Sequence, residues 1–290
     1  MTFNRRDSLR RCLDALSAQT LSRELFEVIV VDSSDLPQPD LAEDYSRRLK
    51  LRYCHGSNLG PAGNRNTGAE LARTPLLAFC DDDCMARSDW LEKIRSAAIA
   101  HPNHLIGGGV ENPAPENVYA AAGQAITEAV DAFYNPVGKA PRFFPGLNFA
   151  LERDRYRTIG GFDREFGRLA AEDRDFVDRW RMAGGRLMAC PQAIVRHEHR
   201  SSLSGFVRQV FNYGRGAWRY HSLRRMRNSG SMSEDISINF QLARYFRNTL
   251  RGQPPFRRIG IIILLGVWQV ANLAGFVWQA SIELRINNKS

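Results

Sequence analysis

Apolar residues along the chain alternate between short apolar-rich stretches and longer stretches with helical spacing. The short stretches predict β-strands at residues 26–31, 49–54, 76–80, 143–150 and 187–195, of which the first has the pattern of a buried strand. The stretches between them predict helices at residues 9–16, 61–71, 90–100, 116–133 and 172–183. Strands that alternate with helices are typical of an α/β domain with a mostly parallel sheet flanked by helices.

The chain begins where such a domain would already have completed a strand. Residues 1–5 are typical of the turn that follows a strand, and no apolar run precedes them. We therefore expect the first strand of the sheet to be missing, a loss that would expose the edges of neighbouring strands.

Residues 259–280 form a different kind of apolar segment, because these 22 positions carry no formal charge. About 20 helical residues cross a bilayer core, so a membrane helix is predicted at residues 259–282. Gln269, Asn272 and Gln279 share one helical face, which favours a helix that lies in the membrane interface or pairs with another helix. A core helix of a soluble protein is the alternative. The arginines before the segment predict that this end lies on the cytoplasmic side: Arg244, Arg247, Arg251, Arg257 and Arg258.

Positive charge is concentrated in one part of the chain. The formal net charge is +9, and residues 196–258 alone contribute +10 from thirteen arginines and three acidic residues. Such a segment predicts anionic phosphate or a membrane surface as a partner. We predict no nucleic-acid partner, because the motifs of nucleic-acid-binding modules are missing. The five scattered cysteines are typical of free thiols in a reducing cytosol.

Three consecutive aspartates, Asp81, Asp82 and Asp83, follow the apolar run at residues 76–80. Ligands bind beyond the carboxyl ends of strands in open α/β sheets, so these carboxylates are candidates for a binding site. Three like charges this close repel one another unless a cation lies among them. Oxygen ligands favour Mn²⁺ or Mg²⁺ over zinc, which predicts a site for one of these two ions. The alternative is a solvated acidic turn that caps the next helix.

A set of five motifs in a fixed order gives the chain a resemblance to a known family. The motifs are Thr2-Phe3-Asn4-Arg5, Val30-Val31-Asp32, Asn58-Leu59-Gly60 with Arg65-Asn66-Thr67-Gly68, Asp81-Asp82-Asp83 and Glu172-Asp173. Together they resemble the family 2 glycosyltransferases, which have a GT-A fold. The resemblance implies a Rossmann-like GT-A domain at residues 1–205, followed by an Arg-rich helical segment at 206–258 and the membrane-associated helix.

The resemblance implies that residues of the first four motifs bind the nucleotide sugar. Asp32 would accept a hydrogen bond from the nucleobase, and Arg65 would bring a permanent charge near the nucleotide. Taken alone, Asp32 is equally a turn-forming residue and Arg65 a solvated helix residue. The complete predicted set is Thr2, Asn4, Arg5, Asp32, Asn58, Arg65, Asp81 and Asp82.

The resemblance also implies the metal ligands. Asp83, Asp81 and His197 would hold Mn²⁺ or Mg²⁺, which would neutralise the departing nucleoside diphosphate. His199 is a weaker candidate near the same strand end, since histidines at such positions are also common as structural residues.

The catalytic and acceptor residues complete the implied site. Asp173 would be the general base that takes the proton of the acceptor hydroxyl, and Glu172 would orient the acceptor. Gly146 and Asn148 would line the acceptor side. Acidic residues also favour helix N-termini for electrostatic reasons alone, so Glu172 and Asp173 have a structural alternative.

The expected function is therefore sugar transfer from a nucleotide-diphosphate-sugar to a hydroxyl of a lipid-linked or polysaccharide acceptor. We expect it at the cytoplasmic face of the cell membrane, with inversion by a single displacement as the resemblance implies. Two alternatives stay open. One is a metal-dependent phosphoryl transferase or nuclease, and the other is a non-catalytic relative that binds sugar nucleotides.

Overall fold

The structure, a computed structural model, describes residues 1–232, 245–246, 250–251 and 253–287. Arg244 and Arg247 of the predicted basic flank lie outside the described residues. The chain divides into two compact units. The first comprises Met1–Glu111, Phe144–Arg168 and Phe176–His197, and the second comprises Asn112–Phe143, Leu169–Asp175 and Glu198–Ser290.

The first unit contains the strands. They are β1 (Val28–Asp32), β2 (Leu51–His55), β3 (Leu76–Cys80), β4 (Cys84–Ala86), β5 (His104–Glu111), β6 (Asn148–Glu152) and β7 (Arg186–His197). The helices along the described chain are α1 (Arg6–Ser17), α2 (Pro39–Ser46), α3 (Gly60–Leu71), α4 (Trp90–Ala100), α5 (Val118–Tyr134), α6 (Arg153–Thr158), α7 (Glu172–Met182), α8 (Leu203–Arg227) and α9 (Pro255–Asn287). Of these, α5, α8 and α9 belong to the second unit, and α7 begins there and ends in the first.

The strands form one parallel pair and one mixed sheet. β1 pairs with β2 in parallel, and Thr2 adds a single parallel bridge to Asp32. The other sheet has the order β3-β6-β5-β7-β4, in which β5 and β7 are parallel and the other three pairs are antiparallel. The predicted α/β class is confirmed, but the sheet is mixed rather than mostly parallel. The alternation of strands and helices did not reveal β4, which has three residues, or the reversed direction of β6.

The core of the first unit is built from the predicted faces. Leu9, Cys12, Leu13 and Leu16 of α1 are buried as their spacing indicates, and they pack with residues of β1, β4 and α4. Trp90 on α4 is 2% exposed. Burial of such side chains contributes roughly 1.5–3 kcal/mol each, so this cluster anchors the strands whose ends carry the candidate site.

Glycines in the middle of β5 allow two large groups to approach the strand. A Cβ on Gly107 would lie 1.9 Å from the Phe144 ring, and one on Gly108 would lie 2.4 Å from the Asn148 amide nitrogen. Glycine weakens strand propensity, which explains why the sequence pattern did not identify β5 as a strand.

Three helices pack together in the second unit. Small residues of α5, among them Ala122 and Ala125, meet large apolar residues of α9 such as Leu264 and Trp268. α8 and α9 approach even more closely, because a Cβ on Gly275 would lie 2.0 Å from the carbonyl oxygen of Phe211. Backbone contact of this kind is possible only where a glycine lies at the crossing.

Substitution of Gly275 by alanine is expected to destabilise the protein by about 1–3 kcal/mol, because the added methyl group has no room beside α8. Gly266→Ala on the same helix is the matched control. Its added Cβ meets nothing within 4 Å, and alanine improves helix propensity by up to about 1 kcal/mol. Urea denaturation followed by circular dichroism measures both variants. Equal unfolding free energies for the two would contradict the close α8–α9 packing.

Candidate active site

The three aspartates lie in the turn between β3 and β4, and a buried arginine holds the first of them. Arg65 Nη2, on α3, donates to Asp81 Oδ1 at 2.8 Å. Only 6% of the Arg65 side chain is exposed, and its guanidinium lies 5.4 Å from the ring centroid of Phe162. The alternative of a solvated Arg65 is therefore wrong, and its charge is directed at the acidic turn.

Arg5 joins the other two aspartates. Its Nη1 donates to Asp82 Oδ1 at 2.9 Å and to Asp83 Oδ2 at 2.7 Å, and Thr2 Oγ1 donates to Asp82 Oδ2 at 2.8 Å. Burial, followed by repulsion from Asp83, raises the pKa of Asp82. Burial acts to lower the pKa of Arg5, but the charges of Asp83 and Asp82 outweigh it and raise that pKa overall. The turn is therefore a buried charge network and not a solvated acidic turn.

Strand pairing brings a histidine to Asp83. β4 and β7 are antiparallel, and Cys84 is opposite His197 in their register. His197 Nε2 lies 3.5 Å from Asp83 Oδ1, and potential ligand atoms of Asp83, Cys84 and His197 all lie within 4.8 Å of one another. Two of the three predicted metal ligands are thus together. Asp81 is not a member of this group and is bound to Arg65 instead.

The donor chemistry of this group fits a divalent cation such as Mn²⁺, which accepts carboxylate oxygen and imidazole nitrogen. Cys84 is a poorer donor. A hydrogen bond with Cys80 acts to lower its pKa, but burial and the charge of Asp83 outweigh that effect and raise the pKa of Cys84 to about 12. Because a cysteine sulfur is a soft ligand and Mn²⁺ and Mg²⁺ favour hard donors, Asp83 and His197 are the effective donors for such an ion.

Asp32 lies fully buried at the end of β1, beside the same turn. Its Oδ1 accepts from the backbone N–H of Ser34 at 2.8 Å, and its Oδ2 accepts from the hydroxyl of Tyr53 at 2.5 Å. Burial and the hydrogen bond to Asp32 raise the pKa of Tyr53 to about 12, so this phenol stays a donor. The turn-forming role of Asp32 is therefore present in the structure, and its contact with a nucleobase stays a prediction.

Two asparagines of the predicted nucleotide set shape loops. Asn4 has a left-handed backbone with φ 54°, its side chain is exposed, and it exchanges hydrogen bonds with Asp35 at 2.7 and 3.0 Å. Asn58 Oδ1 accepts from the N–H of Gly60 at 3.1 Å. Gly60 has φ 74°, and a Cβ there would lie 1.8 Å from the carbonyl oxygen of Gly167. Glycine is required at this position for backbone packing as well as for any approach of an anion.

Asn148, predicted to line the acceptor side, is fully buried within the sheet. Its Oδ1 accepts from Trp90 Nε1 at 2.8 Å, and its Nδ2 donates to the carbonyl oxygens of Gly109 at 2.8 Å and Ala193 at 3.0 Å. These contacts join three elements and give the amide a structural role. The neighbouring Gly146 is also buried, and its acceptor-side role stays a prediction.

The second unit carries the other acidic pair, at the N-terminus of α7. Glu172 is 7% exposed, Asp173 is half-buried, and Asp173 Oδ1 accepts from the N–H of Arg174 at 2.8 Å. Asp175, which is fully buried, accepts from Arg227 Nη1 at 2.7 Å. The catalytic roles of Glu172 and Asp173 stay predictions.

The structure therefore gathers most of the predicted residues of the first unit around the acidic turn: Thr2, Arg5, Asp32, Arg65, Asp81, Asp82, Asp83 and His197. His199 belongs to the second unit, where its Nε2 lies 3.0 Å from Gln124 Oε1. Sequence reasoning did not identify Tyr53 or Ser34 as partners of Asp32. Both contacts depend on strand pairing and turn geometry, which no motif in the sequence encodes.

Comparison with known proteins identifies the family and the fold. The model of the glycosyl transferase family 2 matches residues 1–160, more than half of the chain, and the model of the N-terminal domain of galactosyltransferase matches residues 129–201. The chain belongs to glycosyl transferase family 2. The resemblance drawn from the five motifs is thereby confirmed, and this family 2 member is a glycosyltransferase enzyme.

Relatives of this family 2 glycosyltransferase have related activities. Glycosyltransferase AglE of Haloferax volcanii is 25% identical over 282 residues, which cover 92% of this chain and 89% of that protein. Validoxylamine A glucosyltransferase of Streptomyces hygroscopicus subsp. jinggangensis is 30% identical over 202 residues, 59% of this chain and 48% of that protein.

A solved structure confirms the GT-A fold of the family 2 glycosyltransferase. The mannosyltransferase PcManGT from Pyrobaculum calidifontis, determined in complex with GDP-Man and Mn²⁺, superposes with a TM-score of 0.61. It is 19% identical, and the match covers 98% of this chain and 78% of that one. At this identity the likeness concerns the fold.

Proposed function

We propose that this glycosyltransferase moves a sugar from a nucleotide-diphosphate-sugar to a hydroxyl of a lipid-linked or polysaccharide acceptor, inverting the anomeric centre by a single displacement. The observation that carries the proposal is the arrangement around the acidic turn, where Asp83 and His197 lie 3.5 Å apart beside two arginines. A site with a carboxylate and an imidazole as metal donors, and with permanent positive charge beside them, is suited to a divalent cation and a diphosphate.

Binding of the nucleotide sugar is assigned to residues of the first unit. Asp83 and His197 would hold Mn²⁺ or Mg²⁺, and the bound ion would stabilise negative charge on the diphosphate as the glycosidic bond breaks. Arg65 is fixed by Asp81 and adds positive charge close to that position. Asp32 and the N-terminal turn with Asn4 are the proposed contacts to the nucleoside. A solved relative of the same fold binds GDP-Man with Mn²⁺, which supports this assignment.

The general base and the acceptor-orienting residue are assigned to the N-terminus of α7. Asp173 would accept the proton of the acceptor hydroxyl while its oxygen attacks the anomeric carbon, and Glu172 would orient the acceptor. The half-buried state of Asp173 suits a base that a substrate must reach. Asp175 is already bound to Arg227, so it is not the proposed base.

The proposed location is the cytoplasmic face of the cell membrane. By its length and composition, α9 could cross a bilayer. Among the described residues it is the one helix that meets both criteria. The proposed domain organisation is a GT-A domain at residues 1–205, an Arg-rich segment at 206–258 and a membrane-associated helix at 259–282.

A screen of nucleotide sugars tests the proposal. With Mn²⁺ or Mg²⁺ present, at least one nucleotide-diphosphate-sugar is expected to bind and to be hydrolysed slowly to the nucleoside diphosphate and free sugar, and a chelator is expected to abolish both. Calorimetry and product chromatography measure the two effects. A phosphoryl transferase or nuclease would instead cleave a phosphate ester, and a non-catalytic relative would bind without releasing the diphosphate.

The nuclease alternative has less support. Two-metal catalysis needs ligands for two ions about 4 Å apart. The described residues contain one group of three potential metal-ligating side chains, Asp83, Cys84 and His197, which is too few for two ions.

A further inference from the structure

Helix α9 presents an apolar face that the described residues of its own unit leave exposed. We call it the outer face and define it as Ile259, Ile262, Ile263, Val270, Leu273, Val277 and Trp278, each between 51% and 71% exposed. Most of these residues recur every three or four positions, so they line one side of the helix. Nearly 30 Å of helix, at 1.5 Å per residue, is therefore apolar and uncovered on that side.

The opposite face of α9 is occupied. Ile261, Leu264, Leu265 and Trp268 are buried in a cluster with α5 and α8. The polar residues that suggested pairing with a helix do contact α8. Asn272 Nδ2 donates to the carbonyl oxygen of Val210 at 3.3 Å, and Gln279 Oε1 accepts from Arg215 Nε at 3.1 Å. α9 is therefore one member of a helix bundle with a second apolar surface.

α8 and α9 run side by side in the same direction. Val210 contacts Asn272, Arg215 contacts Gln279, and Trp218 Nε1 donates to Glu283 at 3.0 Å, so the residue numbers rise together along both helices. If α9 crossed a bilayer, the part of α8 that packs along it would have to cross as well, because the two helices are in contact over that part.

α8 is too basic to enter a bilayer core. Its arginines are Arg208, Arg215, Arg219, Arg224, Arg225 and Arg227. Each arginine at the centre of a bilayer costs about 2.5–3.5 kcal/mol or more, and crossing without α8 would break the close glycine contacts between the helices. If α9 lies along the membrane surface, the α8 arginines stay in water and the glycine contacts between α8 and α9 are kept.

The charges at the ends of the outer face indicate what covers it. Arg258 is exposed immediately before the face, and Arg285 is exposed after it. Two copies of the chain paired through this face would bring arginines together, whether their helices ran parallel or antiparallel. Anionic lipid headgroups complement both ends, at about 1 kcal/mol for each arginine near the surface.

We propose that α9 lies parallel to the surface of an anionic bilayer, with its outer face in the headgroup and upper acyl region, and does not span it. The inference rests on the membrane association included in the proposed function and defines its geometry. Helices of this kind insert their apolar face by about 5–10 Å. The bundle of α5 and α8 remains on the aqueous side.

Vesicle binding tests whether the outer face meets lipid. The full chain is expected to sediment with vesicles of phosphatidylglycerol and phosphatidylcholine, and less with phosphatidylcholine alone. The double variant Ile263→Asp/Val270→Asp is expected to bind the anionic vesicles at least about tenfold more weakly. Ile99→Asp on α4, a site 65% exposed in the first unit, is the matched control and should bind like the unmodified chain.

Depth measurement tests the orientation. Fluorophores attached to Ile259→Cys, Val270→Cys and Val277→Cys, each in a chain with Cys54→Ser and Cys80→Ser because these two cysteines are not buried, are expected to show equal, shallow quenching by lipids labelled at fixed depths. A deep Val270 between shallower ends would indicate a spanning helix and overturn the proposal. The proposal would also be overturned if the unmodified chain did not bind vesicles and formed a dimer, while the double variant stayed monomeric. Hydrolysis of the nucleotide sugar without vesicles reports the proposed transferase activity independently of both results.

Discussion

The Asp83→Asn variant is expected to lose sugar transfer by about 10²- to 10³-fold, the range seen when one electrostatic contact to a developing charge is removed. Asparagine keeps the size of the side chain but removes the negative charge that would hold the cation with His197. It also weakens one of the two hydrogen bonds of Arg5, which keeps its contact with Asp82 at 2.9 Å. Mn²⁺ affinity, measured by calorimetry, should fall together with the transfer rate.

Asp154→Asn is the matched control for this experiment, because the Asp154 side chain is 88% exposed and belongs to the same unit. It should transfer sugar at the unmodified rate. Thermal unfolding of both variants separates a lost site from a lost fold. If Asp83→Asn bound Mn²⁺ and the nucleotide sugar with unchanged affinity, the assignment of Asp83 as a metal ligand would be wrong.

The Asp173→Asn variant is expected to bind the donor normally and to transfer sugar about 10²- to 10⁴-fold more slowly, the usual contribution of a general base. In the unmodified chain, Asp173 Oδ1 accepts a hydrogen bond of 2.8 Å from the N–H of Arg174. The amide oxygen of asparagine can accept the same bond, so the start of α7 should keep its geometry. Donor affinity by calorimetry and transfer rate by product chromatography give the two measurements.

Asp131→Asn serves as the control in the second unit, since Asp131 is exposed on α5. Both its donor affinity and its rate should match the unmodified chain. Transfer by Asp173→Asn at the full rate would exclude Asp173 as the base. A parallel loss of donor affinity and rate would assign it to donor binding instead.

Much of the first unit could be predicted because its elements follow simple periods. β1, β2 and β3 were predicted within a few residues because each is a short stretch rich in apolar residues, and α3 was predicted because it follows a Gly-rich turn. β5 was not predicted, because Gly107 and Gly108 lack the side chains that normally mark a strand. The groups that pack against them, Phe144 and Asn148, are distant in sequence. β4 was not predicted either, because its three residues are too few to show a strand period.

The candidate site was predictable where chemistry is local and not where it depends on strand register. The aspartates are adjacent, so their charge is visible in the sequence. The approach of His197 to Asp83 requires β4 to pair with β7, and the bond from Tyr53 to Asp32 requires β2 to lie beside β1 in one register. Asn148 matches a motif position, but its three hydrogen bonds within the sheet could be recognised only from the fold.

The bridge from Arg5 to Asp82 and Asp83 also bears on how the enzyme is assembled. An internal counter-ion already balances part of the acidic turn, so the polypeptide can reach its folded state during synthesis before any metal has been acquired. If the site holds a divalent cation as proposed, binding of the ion would be a separate, reversible event that depends on cellular metal supply and not on the folding of the chain.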